Sequence, residues 1–292
     1  MEIQIQGQEF LDKTEIGKIE NSVIGRNKYE HLKSFKYEDL SDQQKKQIEE
    51  YENRNRTATP EQIEKTKKYL QGLLVPIEKK AFSISAKELW VLFKSNFQIT
   101  NNKPFEITEF TIKNLEPIIY YFSKDERFFE CDNLKKELSV PNFDKGLLII
   151  GNFGNGKTSI MKVFENIFKG IVGVGFKGYS ANEVVTMFEK CSSDVDRDKF
   201  EKIMWRGTRY FDDLKTERIA SNFGKVNIFK EIIEERYNRK SKTYVTCNFK
   251  KDFPDDLNAA LDEFEDKYEG RVYDRLFEMF NIIEFKGKSF RK

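Results

Sequence analysis

The sequence predicts an α/β fold, a parallel sheet flanked by helices, preceded by a smaller and mostly helical N-terminal region. Three observations carry this. From Lys145 onward, short apolar runs alternate with amphipathic stretches, and such β-α repetition implies a parallel sheet with helices on both faces. The first of these runs, Gly-Leu-Leu-Ile-Ile at 146–150, is continuously apolar, as expected of a strand covered on both sides. The first hundred or so residues read differently, dense in Glu, Lys, Gln and Asn with few apolar periods. The chain is therefore divided into an N-terminal region, 1–103, that is helical, in part disordered, and suited to docking a partner, and an α/β domain, 104–292.

In the N-terminal region, 41–56 and 60–74 have the composition of polar helices. Thr59 is placed to cap the second, and Leu70, Leu73 and Leu74 give it a short apolar edge. Ser85 opens a further helix whose apolar stripe is Leu89, Trp90, Leu92 and Phe93. Residues 108–122 also read as helical, and Pro141 and Asn142 end the preamble. In the α/β part, 158–169 is a helix with Ile160, Phe164, Ile167 and Phe168 at helical spacing. Residues 172–179 read as a strand, 181–190 as a helix, and 210–213 as the end of a third strand. A long helix over 227–239 precedes a strand at 243–248, and a helix over 271–280 precedes a closing strand at 282–285.

Composition removes several classes of function. Lys and Arg exceed Asp and Glu by only two charges, so no global field draws nucleic acid to this chain. The three cysteines, Cys131, Cys191 and Cys247, form no C-x-x-C pair, which argues against structural zinc and a disulfide scaffold. A lone histidine, His31, leaves no basis for a His-based triad. No apolar run nears the ~20 residues that span a bilayer, and the N-terminus lacks a signal-peptide pattern. The expectation is a cytoplasmic protein with no membrane partner.

The strongest motif is Gly151-Asn152-Phe153-Gly154-Asn155-Gly156-Lys157-Thr158, a full match to G-x-x-x-x-G-K-[ST] between an apolar strand and an amphipathic helix. Its glycines let backbone N–H groups wrap phosphates at a helix N-terminus. Lys157 is placed for the β- and γ-phosphates, the Thr158 hydroxyl for Mg²⁺, and Ser159 continues the nucleotide-contacting run. The expected cofactors are ATP and Mg²⁺. Asp212 and Asp213 end the next marked strand. Asp212 is the expected second metal ligand, and Asp213 the group that polarises the attacking water. Asn248, at the end of a strand that should lie beside this loop, is expected to reach the γ-phosphate or that water. Arg271 and Arg275, entering a late helix, are candidates to stabilise transition-state charge across a subunit boundary, with an ordinary salt bridge as the alternative.

Taken together, GNFGNGKT, YFDDLKTE, FKEIIEERYNRKSKTYVTCNF and GRVYDRLFEMFNIIEFKGKSFR resemble the DnaC/IstB-like ATPases of the AAA+ class, over roughly 105–292. That family includes bacterial helicase loaders and the ATPase helpers of some transposons. The resemblance implies an AAA+ P-loop core without a C-terminal helical lid. It makes Gly156, Lys157 and Thr158 the Walker A contacts, Asp212 and Asp213 the Walker B pair, Asn248 sensor I, and Arg271 a trans-acting finger. Glu217 matches an acid after the Walker B turn. Two departures stand out: Lys215 where the family has Gly, and Asp213 where many relatives have Glu.

The implied function is that of an ATP-controlled replication accessory, a DnaC-like loader with single-stranded DNA and a replicative helicase as partners. Self-association would complete a shared ATP site. A basic cluster of Lys215, Arg218, Lys225, Arg236, Arg239, Lys240 and Lys242 can supply DNA contacts or simply be a solvated helix face. The alternatives are an IstB-like transposition helper acting on duplex DNA and a nucleotide-dependent scaffold with little turnover. A small-molecule kinase is disfavoured, since no arginine-rich lid is evident.

Overall fold

The computed structural model describes residues 25–54, 59, 61, 64–68, 82–222 and 224–290. Two compact units divide between Lys79 and Lys80. The first contains α1 (Arg26–Lys33), a 3-10 turn and α2 (Asp42–Arg54). Ser41 starts α2 with a reciprocal cap: Gln44 N–H donates to its hydroxyl, and its own N–H donates to Gln44 Oε1. Leu32, Leu40 and Ile48 are buried between these helices, with Tyr29 and Tyr51 stacked beside them. Of the predicted helix over 60–74, Glu61 and 64–68 are helical; Leu70, Leu73 and Leu74 lie outside the described residues.

The second unit, Lys80–Lys292, begins with α3 (Ala86–Asn101) and α4 (Glu109–Ser123). Both start with capping boxes, Ser85 with Glu88 and Thr108 with Thr111. The sequence division at 103/104 assigned α3 to the N-terminal region; α3 lies in this second unit. On α3, Leu89, Phe93 and Phe97 are buried, whereas Leu92 is 41% exposed and so is not part of the inward stripe.

The sheet contains β1 (Gly146–Gly151), β2 (Lys177–Ser180), β3 (Arg209–Leu214), β6 (Thr243–Cys247) and β7 (Phe280–Phe285), in the order β2-β3-β6-β1-β7. Every pairing is parallel. A two-residue pair, β4 (Ala220–Ser221) with β5 (Lys225–Val226), forms a separate ribbon. Side chains alternate across the sheet, as strand geometry requires. Leu148, Ile150, Phe211, Val245 and Ile282 enter one core, with α6 (Ala181–Glu189), α8 (Ile228–Asn238), α9 (Leu257–Tyr268) and α10 (Gly270–Met279). Leu147, Ile149, Tyr210, Tyr244 and Ile283 enter the other, with α3, α4 and α5 (Lys157–Ile167).

Three elements differ from expectation. The strand predicted over 172–179 is only Lys177–Ser180, because Gly173 takes φ 92° and the chain at Gly175 turns tightly against the carbonyls of Phe168 and Ile171. Between 190 and 210, where no element was expected, a helix forms, α7 (Asp194–Trp205), capped by Ser193 and buried only through Phe200 and Met204. Helix α9 was not predicted at all. Arg209 opens β3, its guanidinium donating to the carbonyls of Ile203 and Thr208. Among the described residues no helix follows β7, and none is long and apolar enough to cross a membrane.

Candidate functional site

The strand order brings three carboxyl ends side by side. β1 runs into the glycine-rich loop, β6 beside it leads into Asn248, and β3 beyond that carries the two aspartates near its end. Binding crevices of open parallel sheets lie at such ends. Here a cavity of about 390 Å³ is lined by Phe153 to Ile160, Asp213 and Asn248. Its remaining wall comes from Phe97, Asn101, residues 103–106, Thr111, Asn114 and Phe290. Gly151, Asn152 and Asp212 are not among the lining residues; the carbonyls of the first two accept from Lys157.

Two glycines show why the loop is spelled as it is. Gly156, at the N-cap of α5, has φ 94°, a left-handed conformation that side chains disfavour. Gly151 packs so closely that a Cβ would lie 2.6 Å from the Phe285 carbonyl oxygen. The buried Asn155 amide donates to that same carbonyl at 3.3 Å. From the far side, Phe290 N–H donates to Gly154 O at 3.0 Å, and Asn152 Nδ2 donates to Asp255 Oδ1 at 2.6 Å. The loop is thus fixed from both ends.

Lys157 is 5% exposed. Its ammonium donates to Gly151 O (2.8 Å), Asn152 O (2.9 Å), Asn155 Oδ1 (3.2 Å) and Asn248 Oδ1 (2.9 Å). The Asn248 amide in turn donates to Asp213 Oδ1 at 3.3 Å. One asparagine therefore links the phosphate-binding lysine to the candidate water-polarising acid. Thr158 Oγ1 donates to Asp212 Oδ1 at 3.0 Å, so the two expected metal ligands are in direct contact. Ser159 follows in the first turn of α5, at the cavity wall.

Asp212 is 8% exposed and also accepts from Tyr210 OH and Thr246 Oγ1, each at 2.5 Å. Burial and the adjacent Asp212 carboxylate push the Tyr210 phenol well above its ordinary range, so it remains a donor. Asp213 takes φ 54° at a bulge between Phe211 and Leu214, and its N–H donates to Thr246 Oγ1 at 3.2 Å. That local break turns two consecutive aspartates toward one site, where a regular strand would point them to opposite faces. Tyr210 and Thr246 were missed in the sequence. Their signal was available, since Tyr210 is two positions from Asp212 and so shares its face.

The arginines separate. Arg275 forms a long ion pair with Glu234 (3.8 Å) and lies over the Tyr237 ring, the structural alternative for this residue. Arg271 is exposed at the start of α10 and does not line the cavity. Glu217 is buried, accepting from Tyr268 OH at 2.6 Å and paired with Lys267 at 3.0 Å. It too stands outside the cavity.

The basic cluster is not one continuous solvated face, because two of its members are buried. Arg236 is fully buried, donating to Thr243 Oγ1 and to the carbonyls of Met204, Gly207 and Lys242. Lys215 is buried against Glu263, Arg218 is paired with Glu189, and Arg239 with Glu235. Lys242 donates to Phe143 O beneath Tyr121. Arg218, Lys225, Arg239 and Lys240 are the exposed members.

Sheet order, glycine-rich loop and paired acids define an α/β fold of the P-loop type. A scan of protein-family models gives no match to this chain, nor does a search of curated proteins. Among solved structures it is similar to the DnaC helicase loader, at 20% identity over 49% of this chain and 79% of that one, TM-score 0.39. It is also similar to DnaI, at 18% identity over 66% and 94%, TM-score 0.42. AMPPCP-bound DnaA from Aquifex aeolicus matches at 18% identity over 62% and 48%, TM-score 0.38. The strand order, rather than these partial superpositions, defines the fold.

Proposed function

We propose that this chain binds Mg·ATP in the P-loop cavity and hydrolyses it as a replication accessory of the DnaC-like loader type. The observation that carries the ATP reading is the connected set Thr158–Asp212 and Lys157–Asn248–Asp213 at the carboxyl ends of three adjacent strands. The residues fit the cofactor. Loop N–H groups and Lys157 suit phosphate oxygens, and Thr158 with Asp212 suits a magnesium ion that completes its shell with water and phosphate. Bound there, Mg²⁺ would neutralise charge on the β- and γ-oxygens. Among the described residues no group of three or more His, Cys, Asp or Glu is arranged for a metal, so those two ligands stand alone.

In this reading Lys157 exchanges its carbonyl contacts for phosphate oxygens. Asp213 orients and deprotonates the attacking water, with Asn248 fixing its carboxylate. Arg271, exposed and outside its own cavity, serves the site of a second copy. The loader assignment rests on the sequence resemblance over 105–292. So do the replicative helicase and single-stranded DNA as partners, because the basic cluster is largely engaged in internal bonds.

The test is ATP turnover by the purified protein, alone and with single-stranded or duplex DNA. We expect stimulation by single strands, no nucleotide binding by Lys157→Ala, and binding without turnover by Arg271→Ala. Stimulation by duplex alone would point instead to a transposition helper. Tight binding with no turnover under any condition would make the protein a scaffold.

A further inference from the structure

Lys215 follows the aspartate turn with φ 78°, a conformation glycine adopts freely and a lysine does not. Its side chain is 4% exposed. Each of its three ammonium protons has an acceptor: Asn248 O (3.0 Å), Ala260 O (3.0 Å) and Glu263 Oε2 (2.6 Å). The first acceptor is the backbone of the residue that contacts Lys157 and Asp213. The other two belong to α9.

The same turn is fastened to α9 again. Lys215 N–H donates to Tyr268 OH at 3.1 Å, and Lys267 Nζ donates to Lys215 O and Glu217 O at 2.5 and 2.8 Å. Burying an ammonium is unfavourable unless its donors are all matched, and here the backbone conformation adds to that cost. General packing needs no such arrangement, since an apolar side chain would fill the space. Helix α9 passes through Glu269 directly into α10, whose second residue is Arg271.

We propose that Lys215 is a positioning residue: it locks the strand ends carrying Asp213 and Asn248 to α9 and α10. The state of the γ-phosphate site and the placement of Arg271 are thereby coupled. This rests on the ATPase reading above. Lys215 lines no part of the cavity and acts through the Asn248 backbone and α9.

The test compares full-length wild type, Lys215→Gly and Lys215→Met. Glycine relieves the left-handed backbone and removes the latch; methionine keeps the packing over Phe264 but not the ammonium. We expect ATP affinity, read by titration with a fluorescent ATP analogue, to stay within about twofold in both variants, the mark of a site intact in its ground state. Turnover at saturating ATP should fall roughly 10- to 100-fold, as for misplacement of a reacting group. We expect ATP to protect α9 amides from hydrogen exchange in wild type and this protection to be lost in both variants. Wild-type turnover and wild-type exchange in the variants would overturn the latch and leave the ATPase standing. Joint loss of nucleotide binding and of a cooperative melt would make Lys215 a folding residue, which also overturns it. If wild type binds without turnover, the exchange measurement decides. A wild type that neither binds nor hydrolyses ATP overturns both readings.

Discussion

Asp212 accepts from three hydroxyls through one oxygen, those of Thr158, Tyr210 and Thr246. Three donors converging on one carboxylate oxygen fix its rotamer, which is what a metal ligand beside a phosphate chain requires. Asp212→Asn tests this at the scale of one atom. The amide oxygen can still accept from these donors, so the fold should persist, but the charge that would hold Mg²⁺ is gone. We expect Mg²⁺-dependent turnover to drop at least about 100-fold, of the order seen when a charge-stabilising group is removed. An unchanged magnesium titration of turnover would refute the assignment.

At the scale of elements, Arg236 shows how a charge can be misread from sequence alone. Its guanidinium satisfies three backbone carbonyls and a threonine hydroxyl, joining α8 to the end of α7 and to β6. Among the described residues no carboxylate forms an ion pair with it, and burial with neighbouring Arg209 pushes its pKa down to about 9. Arg236→Leu would leave those acceptors unmatched, and we expect a loss of roughly 3 kcal/mol or more, read from denaturant midpoints. A loss below about 1 kcal/mol would mean that water replaces the guanidinium. In the sequence this arginine counted as a surface cation, because a tally of charges carries no information about burial. The same limit explains α7, where only Phe200 and Met204 are buried among charged neighbours. By contrast α9 was legible and missed, since Ala260, Leu261, Phe264 and Tyr268 recur at helical spacing. The glycine-rich loop, β1 and α5 were legible because local chemistry dictates them: left-handed glycine, a doubly covered strand, an amphipathic helix. The cavity's far wall was not, since Asn101, Asn114 and Phe290 meet only through the fold.

At the scale of the whole molecule, the two units differ in what holds them. The second contains the sheet and both large apolar clusters, and every residue lining the cavity falls between Phe97 and Phe290. Among the described residues of the first, the buried apolar side chains are Leu32, Leu40 and Ile48. A core of that size contributes little stability by itself, whereas the sheet with its flanking helices has the layered form of a self-sufficient domain. The nucleotide site should therefore survive removal of the first unit. We expect a protein spanning 80–292 to melt cooperatively and to bind a fluorescent ATP analogue within about threefold of the full chain, as for a domain with its own core. If partner docking belongs to the N-terminal region, the truncated protein should keep nucleotide binding while losing association with a helicase. A fragment that folds cooperatively yet fails to bind nucleotide would show that residues before position 80 contribute to the site, and the functional division of the chain would have to be redrawn.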